Sequence, residues 1–155
     1  MTMEIKQVTD KKQKQIITRV ILESLLDWFG IKESRENYIK DSADCDFIAA
    51  YDDEKPVGFI CLKPTGKDTV ELYVLGVLKQ YHRKGIGKML FEQAKQLAIL
   101  KGYSFIQVKT VKMGKYKEYD DTNRFYLSLG FKEFEVIEDL WGKENPCQIY
   151  VMSIG

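Results

Sequence analysis

This chain of 155 residues has little cysteine, a single histidine and no long apolar run. Each shortage removes a class of function. The three cysteines, Cys45, Cys61 and Cys147, are odd in number and form no C-x-x-C pair. That excludes a zinc ribbon and a thioredoxin-like redox site. Each reads instead as a small apolar residue in or beside a strand, in a reducing compartment. With His82 as its one histidine, the chain has neither an HExxH zinc site nor any centre built on two imidazoles, and no metal is expected. No apolar run approaches a membrane span, and Met1–Gln7 carries Glu4 and Lys6 where a signal peptide would be apolar. A cytoplasmic protein without membrane association is expected. An excess of either charge is also missing: 24 basic residues face 23 acidic ones, for a net charge of +1. A nucleic-acid module would ordinarily carry a large basic excess, so no nucleic-acid partner is expected.

What is present is an ordinary globular mixture, 45% hydrophobic and 30% charged. A domain of this length buries roughly 70% of the surface of its unfolded chain, enough to fold without disulfides or metal. Residues 3–8 alternate in polarity and predict a strand. From Lys11 the spacing becomes helical, with Ile17, Val20, Ile21, Leu25 and Trp28 on one face, Thr9 or Asp10 as the cap and Gly30 as the stop. A shorter helix is expected over Glu33–Asp41. The strands Phe47–Tyr51, Val57–Leu62 and Thr69–Leu78 are separated by short turn sequences and predict an antiparallel meander. A second clear helix follows from Gly85 to Lys101, ended by Gly102. The strand Phe105–Val111 then implies a parallel crossover. A helix from Asp120 or Asp121 to Gly130 and a closing hairpin of Phe131–Ile137 with Cys147–Ile154 complete the chain. The expectation is one mixed α/β domain over residues 1–155.

The most informative stretch runs Val77-Leu-Lys-Gln-Tyr-His-Arg-Lys-Gly-Ile-Gly-Lys-Met-Leu90. A strand ends, a basic turn follows, and a helix opens on Gly85 and Gly87. Backbone N–H groups at a helix start lack intrahelical partners and sit at the positive end of the dipole. Glycine lets an anion approach them closely, and Arg83, Lys84 and Lys88 add charge. The stretch reads as a phosphate or pyrophosphate site, with a solvated basic helix start as the alternative. A Walker A loop fails at Met89, and a dinucleotide fingerprint fails at Leu90.

The same stretch resembles the acetyl-CoA signature of the GNAT acetyltransferase superfamily, Gln/Arg-x-x-Gly-x-Gly/Ala, with His82 standing where Gln or Arg is commonest. A second landmark of that family, Phe-Tyr-x-x-x-Gly-Phe, is present as Phe125-Tyr126-Leu-Ser-Leu-Gly130-Phe131. The order of elements along the whole chain is similar as well. The resemblance implies a mixed central sheet of about seven strands with a V-shaped splay between strands 4 and 5, flanked by about four helices. It implies that acetyl-CoA is the cosubstrate. Its pantetheine would meet the backbone at Leu75 and Val77, with Gly76 placed where a bulge could open the splay. Its phosphates would meet His82, Arg83, Lys84, Gly85, Ile86, Gly87 and Lys88.

By the same resemblance Tyr126 matches the tyrosine that protonates the departing thiolate, a role suited to a phenol that stays neutral at physiological pH. Glu71, six residues before Val77, matches a glutamate used as general base in one branch. Its alternatives are an outward strand carboxylate or a water chain. An asparagine often found seven residues before the tyrosine is Tyr119 here, and Asn123 is out of register. Trp28, Phe29 and Tyr38 fall where the fold builds its acceptor pocket, or they simply cover the sheet. Lys109, Lys112, Lys115 and Lys117 form a second basic run, read as a flap or a solvated loop. The expected activity is direct acetyl transfer to a primary amine of a small molecule or peptide, by a monomer or homodimer. The alternative is a non-catalytic acyl-CoA-binding or regulatory module.

Overall fold

A computed structural model describes residues 3–155. Its elements, in chain order, are β1 (Met3–Val8), α1 (Lys11–Leu22), α2 (Lys32–Ser42), β2 (Asp46–Asp52), β3 (Lys55–Pro64), β4 (Thr69–Val77), a short 3-10 turn at Lys79–Tyr81, α3 (Ile86–Leu100), β5 (Phe105–Val111), α4 (Lys117–Leu129), β6 (Lys132–Ile137) and β7 (Cys147–Ser153). The strands form one mixed sheet in the order β1-β2-β3-β4-β5-β7-β6. The chain divides into two compact units, Met1–Lys63 with Tyr73–Leu97, and Pro64–Leu72 with Ala98–Gly155. Strand β4 therefore contributes to both.

In the first unit, β1 pairs antiparallel with β2 from Met3–Asp52 to Val8–Phe47, and β2 pairs antiparallel with β3. Helix α1 is capped by Asp10, whose carboxylate accepts from the Gln13 N–H at 2.9 Å. Its buried face is Lys14, Ile17, Thr18, Ile21 and Leu22, a helical repeat of three and four. Lys14 belongs to that face because its Nζ donates to the Cys45 carbonyl at 2.7 Å.

Two details differ from the sequence reading. Val20 lies on the outer face and is 50% exposed. The helix ends at Leu22 rather than near Gly30, because the following turns carry Leu25 into the core at 3% exposure and leave Trp28 outside the helix. Gly76 owes its identity to packing. A Cβ there would stand 3.0 Å from Ile21 Cγ2 and 3.1 Å from Phe59 Cε1, so α1 and β3 close over bare backbone.

In the second unit β4 and β5 run parallel, pairing Thr69 with Phe105, Val70 with Ile106 and Glu71 with Gln107. That pairing covers only the first third of β4, the arrangement a splayed pair requires. Strand β7 pairs antiparallel with β5 along its length, and β6 pairs antiparallel with β7. Helix α4 begins at Lys117, earlier than Asp120, and ends at Gly130 in the left-handed region with φ 105°. Buried Asn123 ties this helix down. Its Nδ2 donates to the Val111 carbonyl at 2.9 Å, and its Oδ1 accepts from the Tyr150 hydroxyl at 2.6 Å.

Candidate active site

The half-exposed face of β4 follows from strand alternation. Val74 and Gly76 are buried, while Tyr73, Leu75 and Val77 share the opposite face and stay partly open. Phe29 packs edge-on against Tyr38 at 5.8 Å, and Tyr38 against Tyr73 at 5.1 Å. The Tyr73 hydroxyl donates to Asp41 at 2.6 Å, and burial together with that carboxylate pushes its pKa upward. Trp28 meets the His82 ring at 5.7 Å, and Lys79, ion-paired to Asp27 at 2.6 Å, lies over the Trp28 ring. Residues 28 and 29 are thus linked to β4 through His82, which meets the Val77 carbonyl, and through Tyr38, which meets Tyr73. Trp28, Phe29 and Tyr38 are half-buried, neither fully in the core nor free of it.

Past Val77 the chain turns sharply. Leu78 anchors the turn in the core, its N–H donating to the Val57 carbonyl at 2.9 Å. His82 places Nε2 at 2.6 Å from the Val77 carbonyl. A carbonyl only accepts, so this nitrogen carries a proton, and the imidazole fastens the turn to the strand end. Arg83 takes the left-handed conformation at φ 62°, unusual for a side-chain-bearing residue, and Gly85 follows at φ 79°. Nothing lies within 4 Å of a Cβ placed on Gly85. Arg83, Lys84, Gly85 and Lys88 are exposed while Ile86 is buried, which seats the first turn of α3 with its basic side chains at the surface.

In the second unit Glu71 is buried, and its Oε1 lies 3.1 Å from Lys109 Nζ. Lys109 is therefore a strand residue of β5 rather than part of a basic flap, and Lys117 lies in α4. Cys147 is fully buried on β7, opposite Val111. Burial pushes its thiol up to about 11, with Glu71 raising it and Lys109 opposing. At neutral pH it is an un-ionised thiol and a poor nucleophile. Tyr126 is buried at 6% exposure on α4, with its ring against Phe125, Phe131 and Tyr150. The open groove between α1 and α2, lined by Ile16, Arg19, Val20 and Glu36, contains none of the residues assigned to chemistry.

The profile of the acetyltransferase (GNAT) domain matches residues 43–133, more than half of the chain. The chain belongs to the GNAT acetyltransferase family. The N-acetylaspartate synthetase of Xenopus tropicalis is 32% identical over 111 residues, 70% of this chain. The chain spans only 38% of the length of that curated relative. Among solved structures, a GNAT-family protein from Desulfovibrio desulfuricans superposes with a TM-score of 0.86 at 19% identity, over 99% of this chain and all of the other. The PaiA N-acetyltransferase of Thermoplasma acidophilum, in complex with coenzyme A, gives 0.72 at 22% identity over 99% of both chains. At these identities the structural likeness speaks to the fold.

The basic, glycine-opened turn and the Phe125-Tyr126 motif were legible as local patterns. The Glu71–Lys109 pair was not. Its members are 38 residues apart, and only the parallel register of β4 with β5 brings them together. The same holds for Asn123 and Tyr150, which nothing local connects.

Proposed function

We propose that residues 1–155 act as one N-acetyltransferase domain, moving an acetyl group from acetyl-CoA directly to a primary amine of a small molecule or peptide. The observation that carries this reading is the turn after β4. Exposed Arg83, Lys84 and Lys88 surround a helix start at which Gly85 leaves open the space a side chain would fill. A pyrophosphate needs that combination of cationic side chains, helix-start amides and close backbone approach. Ile86 and Gly87 complete the helix start, and His82 keeps the turn seated on the strand end. Leu75 and Val77 offer partly open backbone along β4 to a ligand that pairs as an added strand does. The three free, buried cysteines support a reducing, cytoplasmic setting.

In the reaction the amine nitrogen bonds to the thioester carbonyl carbon and the carbon–sulfur bond breaks. Glu71 takes the proton that the amine loses, and Tyr126 gives one to the departing thiolate. The neutral, buried Cys147 supports direct transfer rather than an acyl-cysteine route. The test uses calorimetry and thermal shift with coenzyme A. Gly85→Asn tolerates the left-handed backbone without adding charge, whereas Gly85→Asp adds a carboxylate at the phosphates. The stabilisation by coenzyme A should disappear in Gly85→Asp and persist in weakened form in Gly85→Asn. Equal affinity in Gly85→Asp and the native protein would refute the cofactor assignment.

A further inference from the structure

The Glu71–Lys109 pair sits at the last rung of the parallel β4–β5 ladder, where Glu71 pairs with Gln107 and Lys109 follows two residues later on the same face. The two side chains are 11% and 26% exposed, so the pair is largely out of water, the lysine less so than the glutamate. We infer that this pair is a template for the head group of a free α-amino acid, with Glu71 receiving the ammonium and Lys109 the carboxylate. The inference deepens the acetyltransferase reading above and rests on it.

The argument is one of charge complementarity. Separating a half-buried ion pair leaves two poorly solvated charges and is costly when nothing replaces either partner. An α-amino acid carries a cation and an anion on adjacent carbons, one for each of the two protein charges once the pair opens. Inserted between them, it converts one ion pair into two. Lys109, the more exposed of the two and carried on a long flexible stem, is the member able to move aside. An amine that lacks the carboxylate satisfies Glu71 but strands Lys109. A peptide N-terminus does the same, because its nearest carbonyl is an amide. Sites built for a polar group reject analogues that lack it far more strongly than apolar pockets reject a missing methylene. The arrangement also delivers the amine to the carboxylate proposed to take its proton. An ammonium loses two protons on becoming an amide: Glu71 takes the first, freeing the lone pair for attack, and the second, released as the tetrahedral adduct collapses, passes to Tyr126, which gives its own proton to the departing thiolate.

The closing experiment measures kcat and KM of the full chain with acetyl-CoA and free L-α-amino acids, each compared with its carboxamide and its decarboxylated amine. The best amino acid should exceed both analogues by roughly 10²-fold or more in kcat/KM. In Lys109→Met that ratio should collapse to about tenfold or less through a raised KM for the amino acid, while Lys109→Arg should retain most of it. A structural lysine would lower turnover of all three compounds alike and leave the ratio standing. The comparison on the native chain needs no variant, so it decides even if Lys109→Met fails to fold. Native turnover of the amide or the decarboxylated amine within tenfold of the amino acid would overturn the inference and leave the acetyltransferase reading intact. Absence of acetyl transfer to any amine, with coenzyme A bound or not, would overturn both.

Discussion

At the residue scale, the roles proposed for Tyr126 and Glu71 separate cleanly by chemistry. Tyr126 is a buried phenol wedged among Phe125, Phe131 and Tyr150, so Tyr126→Phe keeps the ring packing and removes only the hydroxyl. If that hydroxyl protonates the thiolate, steady-state kinetics should show kcat reduced by roughly 10²- to 10⁴-fold with coenzyme A affinity near native. An unchanged kcat would make Tyr126 a packing residue. Glu71 is held by Lys109 at 3.1 Å. Its position is therefore fixed before any amine arrives, and the cost of its burial is met by Lys109.

At the scale of elements, the first unit depends on one glycine as a surface. Helix α1 and strand β3 press Ile21 and Phe59 to within 3.1 Å of where a Cβ of Gly76 would stand, and Leu25 to 3.4 Å. All three neighbours are buried and have little room to retreat. Gly76→Ala should destabilise the fold by about 1–3 kcal/mol, read from the midpoint of urea unfolding, since overpacking displaces core side chains. A midpoint equal to native would show that α1 can slide. Because Gly76 lies between Leu75 and Val77, the same substitution should also weaken coenzyme A binding if that strand face carries the pantetheine. In the second unit the comparable device is polar: Asn123 and Tyr150 hold α4 against β5 and β7 through buried hydrogen bonds of 2.6–2.9 Å.

At the scale of the whole molecule, acidic groups with raised pKa values set an alkaline limit. Burial raises the Cys147 thiol from its ordinary 9.0 to about 11. Tyr73, Tyr119 and Tyr150 are likewise raised, each chiefly by burial, and Tyr81 by its hydrogen bond to Asp52. In every case the folded state prefers the neutral form, so the unfolded chain gives up its proton at lower pH. The stabilisation is complete below the unfolded values and is lost as pH rises through the folded ones. Thermal melts between pH 8 and 11 should show Tm falling from about pH 9 upward. Cys147→Ala should flatten the part of that decline between the ordinary value of 9.0 and about 11. A Tm independent of pH over this range would refute the linkage.

The order of strands and helices was readable because each depends on a short-range period. Alternation at residues 3–8, the three-four repeat of α1 and the glycines at 102 and 130 act within a few residues of themselves. The 82–88 turn was readable for the same reason, since a basic, glycine-opened helix start is a local event. What tertiary structure alone decided lies across gaps in sequence. Leu25 is drawn into the core by neighbours on β4, which ends α1 at Leu22 well before its apolar pattern gives out. Gly76 leaves room for distant side chains that converge on it, Ile21 and Phe59 above all. Lys109 left a run of surface lysines for a half-buried ion pair because parallel register set it beside Glu71. A charge pattern along the chain shows which residues are ionic. Which of them share a low-dielectric contact is settled only when strands from opposite ends of a crossover lie side by side.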